Sequence, residues 1–173
     1  MDLILETERL VMRPMKLSDA EDFLVMNDNP NVSLYLRNPI QTIAQAEEYL
    51  QKIINEYQKN KIARFAVILR ETNALIGFSG LKFRDTLENN HINFYDLGYR
   101  FAEEYWHKGF ATEAALAWLE YGFTTLQLET VHACAVSDNV GSNKVLQKVG
   151  FTFRNQYSVS NSLHNWYTIE NKL

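Results

Sequence analysis

A single cysteine, Cys134, occurs in 173 residues, so an intramolecular disulfide is excluded. That scarcity fits a reducing compartment, and a cytoplasmic protein is expected. Cys134 sits in the apolar run Val131-His132-Ala133-Cys134-Ala135-Val136, where a small buried hydrophobe is the expected role rather than a nucleophile. Apolar runs stay well short of the roughly 20 residues that span a bilayer, so no membrane partner is expected. The amino terminus, with Asp2 and Glu6, lacks the basic-then-apolar pattern of a secretion signal. Strong charge of one sign is missing too. The net charge of −4 gives no basic surface for nucleic acid, although a mildly acidic enzyme can still receive a basic peptide or an amine. Neither G-x-G-x-x-G nor G-x-x-x-x-G-K-S/T occurs, which argues against a dinucleotide enzyme or a nucleotide triphosphatase.

What is present suits one domain over residues 1–173, with no repeat, low-complexity segment or linker. Hydrophobic residues make up 46% and charged residues 22%, enough to bury a core without staples. Strands are expected at Arg9–Met15, Phe65–Arg70, Leu75–Phe83, Asn93–Phe101, Thr130–Val136, Phe151–Val159 and Asn165–Glu170. Helices are expected at Ala20–Asn27, Thr42–Lys59, after Gly109 to near Phe123, and over 142–149. In the second of these, Ala46, Tyr49, Leu50, Ile53, Ile54 and Tyr57 recur at helical spacing. The fold class is therefore α+β, a mixed, mostly antiparallel sheet of about seven strands flanked by about four helices.

Two segments carry chemistry. Trp106-His107-Lys108-Gly109-Phe110-Ala111-Thr112-Glu113-Ala114 joins a strand to a helix. A glycine and a small residue there let backbone approach a ligand, and the free amides with the helix dipole favour an anion such as a pyrophosphate. Lys108 adds a cation, though a lysine and a glycine also simply shape a helix start. The second segment, Asp138-Asn139-Val140-Gly141-Ser142-Asn143-Lys144, starts another helix that Gly150 stops, with Val145 and Val149 on one face. Both follow strands in a β-helix-β-helix-β run, so the two helix starts can face one cleft.

Together these segments resemble the GNAT superfamily of acetyl-CoA-dependent N-acetyltransferases, most closely the ribosomal-protein N-terminal alanine acetyltransferase (RimJ/RimL-type) subgroup. The subgroup's aromatic pair, lysine, Gly, apolar residue and Ala-Thr-Glu-Ala appear as Tyr105 to Ala114. Its Asn-x-x-Ser, apolar helix and Gly-Phe appear as Asn139, Ser142 and Gly150-Phe151, and Glu6 to Pro14 looks like its first strand. The likeness runs from about residue 5 to the end.

The resemblance implies acetyl-CoA as cosubstrate and an amine acceptor, either a peptide N-terminus or a small molecule, in a monomer or homodimer. The amine attacks the thioester directly, so no nucleophilic Ser or Cys is needed. The pantetheine arm is implied along Tyr99, Arg100 and Phe101, where a splay or bulge frees an amide for the thioester oxygen. The pyrophosphate is implied on the amides of His107, Lys108, Gly109, Phe110, Ala111 and Thr112. Asn139 is expected to bond the cofactor or the acetyl region. Lys144 is expected either to meet a phosphate or to be a solvated helix charge. Ser142 matches the subgroup serine that protonates the departing thiolate, directly or through water; it also suits a helix cap, and the two roles can coexist. For the base, Asp96 is favoured, acting through water with a pKa raised by burial near Phe94 and Leu97; the alternative is a buried carboxylate that only orients its neighbours. Tyr35 and Arg37 lie where relatives build the acceptor wall, or are structural.

Several residues depart from the pattern. His107 stands where the subgroup usually has Gly, and Glu103 replaces a common proline, with a loosened connection as the expected result. Asn165 takes the place of an acidic residue. Leu146 occupies the position of the tyrosine acid found in many superfamily members, which leaves a catalytically silent acyl-CoA-binding module as the alternative function.

Overall fold

The structure is a computed structural model that describes residues 3–36 and 38–172. Two short strands open the chain, β1 (Leu5–Glu6) and β2 (Leu10–Pro14), followed by helices α1 (Ala20–Asp28), α2 (Pro30–Ser33) and α3 (Ile43–Asn60). The central hairpin is β3 (Phe65–Leu69) and β4 (Leu75–Arg84), and β5 (Phe94–Phe101) follows it. Then come α4 (Phe110–Thr124), β6 (Thr130–Val136), α5 (Val140–Lys148), β7 (Thr152–Val159) and β8 (Ser162–Glu170). The sheet order is β1-β2-β3-β4-β5-β6-β8-β7, and every pairing is antiparallel except β5 with β6.

Local chemistry explains most boundaries. Thr42 and Gln45 form a reciprocal capping box, so α3 begins at Ile43 and turns Ala46, Leu50, Ile53 and Tyr57 into the core. Lys61 in the left-handed region ends that helix, and Asn73 does the same service in the β3–β4 turn. The uninterrupted apolar run of β3 is buried throughout, as a strand covered on both faces must be. On one face Phe23 of α1 packs on Tyr49 of α3 and Phe78 of β4. On the other, α4 presents Ala114, Ala115, Trp118, Leu119 and Gly122, with Trp118 edge-on to Phe65 at 4.8 Å.

The expected α+β sheet and helices form, with differences in detail. Among the described residues there are eight strands, because Leu5–Glu6 pairs with β2. Asn29 caps the extra short helix α2 through its side chain, so the Asp28–Asn31 break is a turn between two helices. The last strand starts at Ser162, as the β7–β8 ladder runs to the hairpin tip. The inward face of α5 is Asn143, Leu146 and Val149, while Val145 is half-buried.

Candidate active site

β5 and β6 pair in parallel at one register position, Asp96 opposite His132, and beyond it β5 stays laddered only to β4. The Ala102 amide donates to Ile76 on β4, so alternation along the ladder turns the main-chain groups of Tyr99 and the amide of Phe101 away from β4, into the gap. The expected splay is therefore present at Tyr99–Phe101. The indole Nε1 of Trp106 donates to the Phe101 carbonyl at 2.8 Å and fixes where the strand ends.

The start of α4 lies just past that strand. Its first intrahelical bond runs from the Glu113 amide to the Gly109 carbonyl, which leaves the amides of Phe110, Ala111 and Thr112 without helical acceptors. Among the described residues no side chain caps them. His107, Lys108 and Gly109 are exposed, and both His107 (φ 59°) and Gly109 (φ 83°) are left-handed. Glycine takes that conformation freely, whereas His107 adopts it at a cost of about 1–2 kcal/mol. Bare amides, a helix dipole and an exposed lysine are a donor set that fits a diphosphate.

This loop is braced from the start of the chain. Glu113 Oε1 accepts from the Thr7 hydroxyl at 2.6 Å and the Arg9 amide at 2.9 Å, and Oε2 accepts from Arg9 Nε at 2.7 Å. Arg9 also donates to the Lys108 carbonyl at 2.9 Å and lies 4.5 Å over the Phe110 ring. Glu113 thus ties the first turn of α4 to the segment that leads into β2.

At the second helix start, Asn139 accepts from the Ser142 amide at 3.1 Å, a side-chain cap. Asn143, which has no local signal as a site residue, is buried and ties α5 to the sheet. Its Nδ2 donates to the carbonyls of Asn139 (2.7 Å) and Val136 (2.9 Å), while Oδ1 accepts from Tyr167 (2.7 Å) and Asn165 (2.8 Å). Across the gap, the Tyr99 hydroxyl lies 3.0 Å from the Ser142 carbonyl and 3.3 Å from its Oγ. Lys144 is exposed two residues further along α5.

Residues 9–152 match the acetyltransferase (GNAT) domain family, which takes in both helix starts and the splayed strands. The chain belongs to the GNAT acetyltransferases. It is 34% identical over 148 residues to p20, an uncharacterized N-acetyltransferase of Bacillus licheniformis, covering 85% of this chain and 81% of that one. A GNAT-family acetyltransferase from Bacillus anthracis superposes with a TM-score of 0.83 at 25% identity, over 99% of this chain and 100% of the other. The fold is also that of the ribosomal-protein-S5-alanine acetyltransferase from Vibrio fischeri, at a TM-score of 0.78 and 21% identity over 99% of this chain and 98% of that one. Acetyl-CoA is the acyl donor of this family of acetyltransferases.

The base expected of this acetyltransferase, Asp96, has another occupation. Its Oδ1 accepts from Arg64 Nη2 at 2.6 Å, and its Oδ2 from Arg84 Nε at 2.8 Å and Nη2 at 2.7 Å. Arg64 donates further to the carbonyls of Asp96 and Gly80. A Cβ on Gly98 would fall on this guanidinium, so the glycine clears its path. Burial pushes the Asp96 carboxyl up, but the two guanidiniums outweigh it and hold the pKa below the ordinary range. A carboxylate so held is a poor proton acceptor. The expected raised pKa is therefore not found, and Asp96 is the shared counter-ion of Arg64 and Arg84, as in the orienting alternative.

Around the other side of the gap, the acetyltransferase's Tyr35 hydroxyl donates to the Asp138 carbonyl at 3.3 Å, bringing the segment after α2 onto the turn before α5. Arg37 lies outside the described residues. Glu103 corrects another expectation: its carboxylate accepts from Asn29 Nδ2 at 2.8 Å and Asn31 Nδ2 at 2.7 Å, so the proline substitution pins α2 to the end of β5. Arg100 donates to Asn27 and lies 5.0 Å over Phe78. Its side chain faces α1, and by the same alternation its main-chain groups are turned to Phe78 on β4, so of the expected pantetheine strip Tyr99 and Phe101 face the gap and Arg100 does not. Cys134 is half-buried, and burial pushes its thiol up to about 11, which suits the inert role. Leu146 is packed in the core and supplies no proton donor.

Proposed function

We propose that this acetyltransferase moves an acetyl group directly from the thioester of acetyl-CoA to a primary amine, a protein N-terminus or a small amine, within a ternary complex. The observation that carries the reading is the divergence of β5 from β6 between two helix starts, one uncapped and one carrying Ser142. Acetyl-CoA supplies an acyl carbon activated by a thiolate leaving group. Main-chain groups of Tyr99 and Phe101, on either side of Arg100, run beside its pantetheine arm, and an amide freed by the splay holds the thioester oxygen. The amides of His107, Lys108, Gly109, Phe110, Ala111 and Thr112 hold the diphosphate, with Lys108 and Lys144 as cations. Asn139 Nδ2 has no partner among the described residues and is available to the acetyl region while Oδ1 caps α5. As the new C–N bond forms and the C–S bond breaks, Ser142 Oγ donates its proton to the sulfur, directly or through water, and the proton lost by the nitrogen returns to Ser142 through solvent water. Tyr35 contributes to the acceptor wall.

A thiol-release assay with acetyl-CoA, run across peptides with free N-termini and small amines, tests this. Turnover with either class identifies the acceptor. CoA-induced thermal stabilisation with no turnover on any amine would leave only the silent binding module, and no stabilisation would overturn both.

A further inference from the structure

We infer that Tyr99 is a positioning residue that orients the hydroxyl of Ser142 and strengthens its hydrogen bond to the departing thiolate. The inference rests on the role proposed for Ser142. Tyr99 lies on the α4 face of β5, the parity of Leu81 and Leu97, and its hydroxyl reaches across the gap to α5. A carbonyl can only accept, so at rest the phenol's proton belongs to the Ser142 oxygen 3.0 Å away. The phenol oxygen then accepts from Ser142 Oγ at 3.3 Å, and the serine hydroxyl is held in one rotamer.

The same pair has a second arrangement without moving a heavy atom. When negative charge grows on a sulfur beside Ser142, the serine turns its hydrogen to that charge. The phenol turns its own hydrogen from the carbonyl to Oγ. Each donor in such a chain polarises the next, so the serine becomes a better donor than it is alone. No proton leaves Tyr99 in this step, and burial, which pushes its pKa up, keeps it protonated. The serine backbone is immobilised separately, by Asn139 on its amide and by Asn143 on its helix, so Tyr99 is left to set the side chain.

The test needs CoA alone. The thiolate absorbance of bound CoA is titrated with pH in the wild type, Tyr99→Phe, Ser142→Ala and the double variant, with affinity measured by calorimetry. Wild type should lower the bound thiol's pKa relative to free CoA. Each single variant should make the thiol about tenfold less acidic, the double variant no worse than Ser142→Ala, and affinity at neutral pH should change less than about threefold. A Ser142→Ala effect without a Tyr99→Phe effect, or additive effects, overturns the inference and leaves the serine's role standing. No Ser142→Ala effect overturns both. Should Tyr99→Phe fail to fold, 3-fluorotyrosine at position 99 replaces it: a stronger donor of similar size should make the bound thiol more acidic, and an unchanged or weaker acid overturns the inference.

Discussion

Arg9 and Glu113 stand 104 residues apart in the chain, yet Arg9 meets the carboxylate with its amide, its Nε and its Nη2, the last at 2.6 Å. The pair fastens the start of β2 to the first turn of α4, beside the loop that carries Gly109. Glu113→Ala should therefore lower unfolding stability by about 1–2 kcal/mol in urea denaturation, a figure kept small because Arg9 is partly solvated. Burial pushes the Glu113 carboxyl up, but Thr7 and Arg9 outweigh it and hold it below its ordinary value. The clamp's contribution is then full above the ordinary carboxylate pKa and fades as pH falls below it. An unchanged denaturation midpoint would show the clamp to be idle.

Gly109 is left-handed, and Arg9 Nη2 would lie 3.4 Å from a Cβ there. Gly109→Glu should abolish CoA binding by calorimetry, since it puts bulk and a negative charge at the proposed seat of the diphosphate. Gly109→Asn accepts the left-handed backbone and should retain measurable binding. Equal loss in both variants would assign the defect to folding instead.

His107 holds φ 59° with no side-chain bond to compensate among the described residues. Replacing it should release that strain: His107→Gly is expected to raise stability by about 0.5–1 kcal/mol, after the glycine's own entropy cost. A lower melting temperature would count against this account of the loop.

Asp96 carries a buried charge shared by two arginines. Asp96→Asn leaves Arg64 and Arg84 without their counter-charge and should cost about 3–5 kcal/mol in chemical denaturation. The pH profile of turnover in whatever enzyme folds should keep its shape. A displaced acid limb at full stability would restore Asp96 as the base.

His132 is packed among His91, Phe94 and Trp166 and shares a hydrogen bond with Thr168 at 3.1 Å. Burial, then His91 and Arg154, bring its pKa down to about 4. A histidine that stays neutral when folded but protonates when unfolded stabilises fully above its ordinary pKa of about 6.5, and that stability drains as pH falls toward 4. The loss should reach on the order of 2 kcal/mol near pH 4.5. His132→Gln should flatten this part of the melting-temperature profile, and a slope unchanged by the substitution would refute the assignment.

The helix starts were readable because their determinants are neighbours in the chain. Thr42 with Gln45, Asn139 with Ser142, and the glycine before Phe110 act over a few residues, so their order alone announces caps and turns. The family motifs lie on those same short stretches, and the core of α3 follows from spacing. Glu103, Glu113 and Asp96 are different. Each is a carboxylate whose role depends on its partners: Asn29 and Asn31 for the first, Thr7 and Arg9 for the second, Arg64 and Arg84 for the third.

Local order therefore decided where helices begin, which faces turn inward and where an anion can sit. Only the folded sheet decided which carboxylate is a clamp or an ion centre, and that Tyr99 meets Ser142 across the gap. The physical reason is range. Backbone caps and amphipathic faces are settled within a few turns of chain, whereas a charge or a hydroxyl takes its function from groups that are distant in sequence and adjacent only after folding.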